Sequence, residues 1–127
     1  METNQNNNKK ILGKNGEEKA CTYLKKHKYK IIERNFLCRQ GEIDIVAFDK
    51  KTNEYVFIEV KTRTNKKYGN PEEAVNEPKQ KHIYNSTKYY IYKNKLENAF
   101  IRFDVIVIYK NNLVHLKNCE FNQKIYC

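Results

Sequence analysis

Asp44, Glu59 and Lys61 are charges set inside apolar runs, and that setting is what gives them chemical interest. The runs are Gly41-Glu42-Ile43-Asp44-Ile45-Val46 and Val56-Phe57-Ile58-Glu59-Val60-Lys61-Thr62-Arg63. Each reads as a strand, and Lys50-Lys51-Thr52-Asn53 between them is turn-like. Side chains two apart in a strand share a face. Phe57, Glu59 and Lys61 then point one way and Val56, Ile58 and Val60 the other. Asp44 goes with Val46 and Phe48, and Ile43, Ile45 and Ala47 take the opposite face. Both faces are largely apolar, the pattern of strands covered on both sides. A charge there is expensive unless it is paired or bound to a metal. A four-residue loop puts Asp44 opposite or diagonal to Glu59, with Lys61 beside it, whereas an odd-length loop would turn Asp44 to the wrong face. Two such carboxylates, with β-carbons about 4.5–5.5 Å apart, repel each other and invite a divalent cation. Mg²⁺ suits them, since it takes one or two carboxylates and fills its shell with water and phosphate. A lysine beside the pair can orient a water or offset charge on a phosphate. The same residues also fit a half-exposed strand with an ion pair on its wet face, a reading that Phe57, Val46 and Phe48 argue against.

The elements that must position these charges are legible in outline. Residues 1 to about 10 are polar and aperiodic and are expected to be a disordered tail. A helix is expected from Lys14 to His27, with Ala20, Cys21 and Leu24 as its apolar stripe and Glu17 on the same line. From periodicity alone Glu17 is either a capping residue or a third carboxylate reaching the sheet. Strands are expected over Tyr29–Phe36, Ile101–Tyr109 and Leu113–Leu116. A second helix should start at Pro78 and run to about Tyr92, with Gln80, Ile83/Tyr84, Thr87 and Ile91 inward and Lys79, Lys81 and Lys88 outward. Pro71 to Val75 reads as one helical turn. Asp104, inside its strand, reads as a partner for an arginine or for backbone groups. Helix, three strands, helix and one or two strands make an α/β sandwich around a mixed sheet, in a single domain over about residues 11–118, with 119–127 a tail.

Composition narrows the partners. Twenty-five Lys+Arg against 15 Asp+Glu give a net charge of +10, which favours a polyanion such as nucleic acid. Arg63, Lys66 and Lys67, with Lys79 and Lys81, could hold a phosphate backbone while Tyr68 stacks on a base; a solvated surface loop is the plain alternative for residues 64–71. No apolar run approaches the roughly 20 residues that span a bilayer, and the N-terminus lacks a signal-peptide pattern, so a cytoplasmic protein without membrane contact is expected. Cys21, Cys38, Cys119 and Cys127 form no Cys-x-x-Cys pair and read as reduced residues, Cys21 in the core.

Taken together, Gly16-Glu17, Gly41-Glu42-Ile43-Asp44, Phe57 to Arg63, Gly69 to Val75 and Arg102-Phe103-Asp104-Val105 closely resemble the YraN-like family of small bacterial proteins. The resemblance covers roughly residues 13–110. That family looks like a branch of the PD-(D/E)xK nuclease superfamily and is similar in fold to archaeal Holliday-junction resolvases. The resemblance implies a restriction-endonuclease-like α/β/α sandwich with a central mixed sheet. It also implies Asp44 and Glu59 as ligands for Mg²⁺ or Mn²⁺, the Val60 carbonyl as a further donor and Glu17 as a carboxylate for a second metal. Lys61 would be the catalytic lysine, and Gln80, in a Gln-x-x-x-Tyr element with Tyr84, its orienting partner. Ile43 stands where the signature has proline. The expected activity is metal-dependent hydrolysis of DNA, with branched DNA suggested only by the resolvases. Alternatives are a non-catalytic nucleic-acid-binding accessory module of the same fold, and a protein-interaction factor whose basic surface reflects composition. A homodimer would suit symmetric cutting of two strands, though nothing in the sequence marks an interface.

Overall fold

The computed structural model describes residues 15–63 and 77–119, and of residues 77–79 the backbone only. In chain order the elements are α1 (residues 15–26), β1 (Tyr29–Cys38), β2 (Gly41–Asp49), β3 (Glu54–Arg63), α2 (Glu77–Lys93), β4 (Ile101–Tyr109) and β5 (Asn112–Leu116). The strands form one sheet of five in the order β1-β2-β3-β4-β5. Three pairings are antiparallel; β3 and β4 run parallel because α2 lies between them in the chain and makes the crossover. The sheet is therefore mixed, as expected. The expected tail at 1–10, the basic loop, the helical turn at 71–75 and the segment 120–127 lie outside the described residues. No helix among the described residues is long and apolar enough to cross a membrane.

Each face of the sheet carries one helix. Ala20, Cys21 and Leu24 of α1 pack on Ile45, Ala47, Val56, Ile58, Ile106 and Ile108. On the other face Tyr90 of α2 packs with Phe36, Ile43, Val46 and Phe57, while Ile83 packs on Val105 and Val107. Two-sided cover is the reason β2, β3 and β4 read as nearly unbroken apolar runs. Cys21 is in the core, Cys38 and Cys119 are half-buried, and none of the three is in a disulfide. The inward stripe of α2 differs from the expected one: Ile83, Ser86, Thr87 and Tyr90 are buried, and Gln80, Tyr84 and Ile91 are half-buried. The Tyr90 ring meets Phe36 at 5.0 Å and Phe57 at 5.6 Å, both edge-on, and this aromatic contact sets the helix rotation.

The two hairpins are built by local chemistry. Asp49 pairs with Glu54, so the β2–β3 loop is Lys50–Asn53, the four-residue length that the face argument required. Asp49 closes it through its backbone oxygen to Asn53 N–H at 2.8 Å and its carboxylate to Lys51 N–H at 2.9 Å. At the β1–β2 turn Gly41 has φ +148, and α2 passes so close that a Cβ there would lie 3.1 Å from Ser86 Oγ and 3.2 Å from the His82 Cβ. Only glycine meets both conditions comfortably. Gly41→Ala is expected to lose about 1–3 kcal/mol of stability, read as a lower midpoint with an unchanged slope in urea unfolding.

Alternation breaks twice along β1: at Ile32, where the register shifts between Ile31↔Ala47 and Glu33↔Val46, and at Asn35, opposite the break on β2. The register passes from Arg34↔Ile45 to Phe36↔Ile43 across Asn35, whose φ is +54. Asparagine tolerates this left-handed conformation better than most residues. Arg34 turns to α1 and meets Glu18 at 2.9 Å, whereas Phe36 turns to α2. On β2, Ile45 packs on the α1 side but Ile43 on the α2 side, which corrects the strict alternation that grouped Ile43 with Ile45 and Ala47. Asp44 is the pivot between them.

Asp104 does pair with an arginine. Arg102 clamps its carboxylate with two bonds of 2.9 Å, from Nε and Nη2, on the α1 face of β4. Arg102 also donates to Asp49 at 2.9 Å, to Glu54 at 3.0 Å and to the Tyr29 hydroxyl at 2.7 Å.

Candidate active site

The candidate centre forms where β2 and β3 part. Their paired residues run from Asp49↔Glu54 to Ile45↔Ile58. Beyond that point the Val60 N–H donates to Asp44 Oδ2 at 2.8 Å. The kink at Asn35 and Asp44 lets this side chain turn toward β3, where it takes a backbone donor. Glu59 follows Ile58 directly and is almost wholly buried, at 4% exposure. The Glu59 carboxylate is close enough to act on the Asp44 carboxyl directly. Lys61 Nζ reaches Glu59 Oε1 at 3.1 Å while remaining 22% exposed itself. One acid is thus sunk in the protein, and its lysine partner sits on the rim.

The electrostatics follow from burial. Removal from water pushes the Asp44 carboxyl from 3.8 up to about 7, and the neighbouring Glu59 carboxylate pushes it the same way against the opposing Val60 N–H. Near neutral pH Asp44 is therefore protonated for a substantial part of the time. A site that draws a proton this strongly stabilises positive charge, and a hard divalent cation meets the same need with oxygen donors it prefers.

The other expected residues divide into several groups. Glu17 stands on α1, on the side facing the sheet, and its charge acts on Asp44. It is also held by Arg34, at 3.7 Å. Among the described residues no three His, Cys, Asp or Glu side chains converge as a metal cluster. Val105 and Val107 are the parallel partners of Glu59 and Lys61, and Ile83 packs on both. The first turns of α2 therefore overlie this corner, and Gln80, half-buried, is one turn before Ile83. Arg63 is half-buried at the end of β3, and Lys81 is exposed on α2. Lys66, Lys67 and Tyr68 lie outside the described residues, as does the side chain of Lys79. Sequence reasoning missed Arg34 because its contacts with Glu17 and Glu18 depend on the register shift between Ile31 and Glu33, which apolar alternation does not show.

Residues 16–108 match the model of the uncharacterised protein family UPF0102. The chain belongs to that family. A UPF0102 protein of Caldicellulosiruptor saccharolyticus is 47% identical over 104 residues, covering 82% of this chain and 86% of the relative. One from Geobacter metallireducens is 54% identical over 99 residues, 78% and 80% of the two chains. One from Persephonella marina is 43% identical over 108 residues, 85% and 91%. The YraN-like resemblance of the motifs is thus borne out across the UPF0102 region, which contains Glu17, Asp44, Glu59 and Lys61.

Proposed function

We propose that this UPF0102 protein is a metal-dependent endonuclease that hydrolyses phosphodiester bonds in DNA. The observation that carries the reading is the buried Glu59 carboxylate acting on Asp44, with Lys61 3.1 Å from Glu59 on the solvent side. The donor set fits Mg²⁺ or Mn²⁺. Asp44 and Glu59 would hold the ion, the Val60 carbonyl is a further oxygen beside them, and Glu17 is near enough in charge to serve a second ion. Such an ion supplies Lewis-acid stabilisation of the phosphoryl oxygens and makes water more acidic.

The chain's own groups have separable tasks. Glu59 already holds the Lys61 ammonium in the folded protein, so ordering that long side chain is not a further entropy cost when substrate binds. From the rim Lys61 can donate to an attacking water or to the phosphate oxygen on which charge grows, a preorganised stabilisation. Gln80, over the same corner, can orient that group. The net charge of +10 supports a polyanionic substrate and gives affinity that falls with salt. Branched DNA is the preferred substrate class by analogy with resolvases.

The deciding experiment is cleavage of end-labelled four-way-junction, flap, duplex and single-stranded DNA in Mg²⁺, Mn²⁺ or EDTA. Wild type should give products only with a divalent ion, and Lys61→Ala should slow cleavage by about 10²–10³-fold while sparing binding. Full cleavage by Lys61→Ala would remove the lysine from the mechanism. Silence of wild type on every substrate, with salt-sensitive binding intact, would identify the non-catalytic binding module instead.

A further inference from the structure

A cleft of about 260 Å³ opens where α1 crosses the ends of β3 and β4. Lys19 enters it from α1, Arg63 from the end of β3 and Lys110 from the turn after β4. Thr62 and Asn15 add a hydroxyl and an amide, and Ile108 forms an apolar wall. No carboxylate lines it among the described residues. The floor is Gly16 against the Thr62 side chain, an approach so close that a Cβ on Gly16 would collide with the hydroxyl.

A protein of charge +10 must expose lysines, but composition does not bring three cations from three elements into one concavity. Like charges gathered over a low-dielectric wall repel each other and focus a positive field, and an anion relieves both effects. The size is informative. The cleft holds the volume of roughly nine waters, more than a phosphate needs, and falls below the roughly 300–1,000 Å³ of ordinary small-molecule pockets. A phosphate with its sugar against Ile108 fills it sensibly. A guanidinium offers two parallel donors to phosphate oxygens and lysines act as point charges, so Arg63, Lys19 and Lys110 are the right types. Thr62 and Arg63 follow Lys61 at the same end of β3, but Thr62 and its partner Ile108 face α1 whereas Lys61 and its partner Val107 face α2, so the cleft opens on the opposite face of the sheet from the lysine.

We infer that this cleft is a phosphate subsite, seating a backbone phosphate of a bound nucleic-acid strand at the end of β3 on the α1 side of the sheet. The inference rests on the nucleic-acid reading above but not on hydrolysis. The cleft would anchor the strand at this end of the sheet.

The test is binding in EDTA, where cleavage plays no part. Anisotropy of a labelled duplex would be followed from 50 to 200 mM salt for wild type, Lys19→Glu, Lys110→Glu and Lys51→Glu. Lys51 is an exposed control in the β2–β3 loop, at the other end of β3 from Arg63. Lys19 and Lys110 are exposed, so their variants should fold, which circular dichroism checks. Each cleft variant is expected to weaken binding about tenfold and to flatten the salt slope by about one, while the control changes little. In parallel, thymidine 5′-monophosphate and inorganic phosphate would be titrated into ¹⁵N-labelled protein. Shifts of the Gly16, Lys19, Thr62, Arg63 and Lys110 amides, absent with thymidine alone, are expected. Equal losses in the cleft and control variants would overturn the subsite and leave DNA binding standing. Tighter binding of the mononucleotide than of the duplex would overturn the strand assignment in favour of a free nucleotide. No DNA binding by wild type would overturn both readings.

Discussion

Asp44→Asn should be inactive and yet more stable than wild type at pH 8, by about 1–3 kcal/mol, which for a domain of this size is a rise of several degrees in Tm. The expectation follows from what the carboxyl endures. Its folded pKa stands near 7, raised first by burial and then by the Glu59 carboxylate. A group whose folded pKa is raised favours the folded state fully below its unfolded pKa, near 4, and that advantage is lost as pH rises to about 7. Across that window the penalty reaches the order of 4 kcal/mol. The asparagine oxygen can still accept the Val60 N–H, and its amide can donate to Glu59, so the packing survives while the charge disappears. Only part of the penalty is recovered, because Glu59 remains buried. The sign can be checked by thermal melts from pH 4 to 9. The difference between variant and wild type should be small at pH 4, grow through the window and level off above pH 7. Mg²⁺ or Mn²⁺ should raise the wild-type Tm most at the alkaline end and leave Asp44→Asn nearly unmoved, since a ligand stabilises only the state that binds it. Equal stability of the two proteins at pH 8 would show that Asp44 is not held under this strain. That result would remove the physical reason for expecting a cation between the two acids.

The same residues show how far sequence reaches. The strands, their two-sided burial and the opposition of Asp44 and Glu59 were readable because apolar period and loop parity are local properties. Lys50–Asn53 has even length, and that alone fixes which side of β2 faces which side of β3. The kink was not readable from alternation, since Asn35 acts by adopting φ +54 and not by its hydrophobicity. It reassigned Ile43 and freed Asp44 to reach Val60, while the register shift between Ile31 and Glu33 turned Arg34 toward Glu17. Family resemblance supplied the grouping of Glu17 with the acid pair. The structure puts Glu17 nearby but shared with Arg34, a distinction that residue identity alone does not carry. Nothing in the sequence marks Lys19 and Lys110, because their meeting with Arg63 depends on how α1 crosses the sheet. The rotation of α2 was misjudged for a related reason: Ser86 and Thr87 blur its apolar stripe, and Tyr90 is committed only by the aromatic rings it meets.

Arg102→Leu is expected to be the most damaging single change, with a loss of about 3–5 kcal/mol. Arg102 is 6% exposed, and its donors are spent on Asp104, Asp49, Glu54 and the Tyr29 hydroxyl. Burial alone would raise the Asp104 carboxyl, but hydrogen bonds from His115, Arg102 and the Asn118 N–H hold it below the usual carboxylate range. Leucine would leave Asp104 and Asp49 buried, without their guanidinium, and two uncompensated carboxylates cost more than the lost packing returns. Arg102→Lys should recover only part, because one ammonium cannot clamp Asp104 with two bonds and still reach Asp49. The pH signature separates this role from catalysis. Asp104 has a depressed folded pKa, so its stabilisation is present above the unfolded pKa, near 4, and is lost as pH falls through the folded value. Without Arg102 that carboxylate rises, and acid unfolding should begin at higher pH than in wild type. The cluster lies on the α1 face at the levels Val56↔Arg102 and Ile58↔Asp104, whereas Glu59 and Lys61 belong to the other face. DNA cleavage per folded molecule at low temperature should therefore be nearly unchanged. A variant that keeps wild-type stability but loses cleavage would reverse the assignment and move Arg102 from the framework into the reaction.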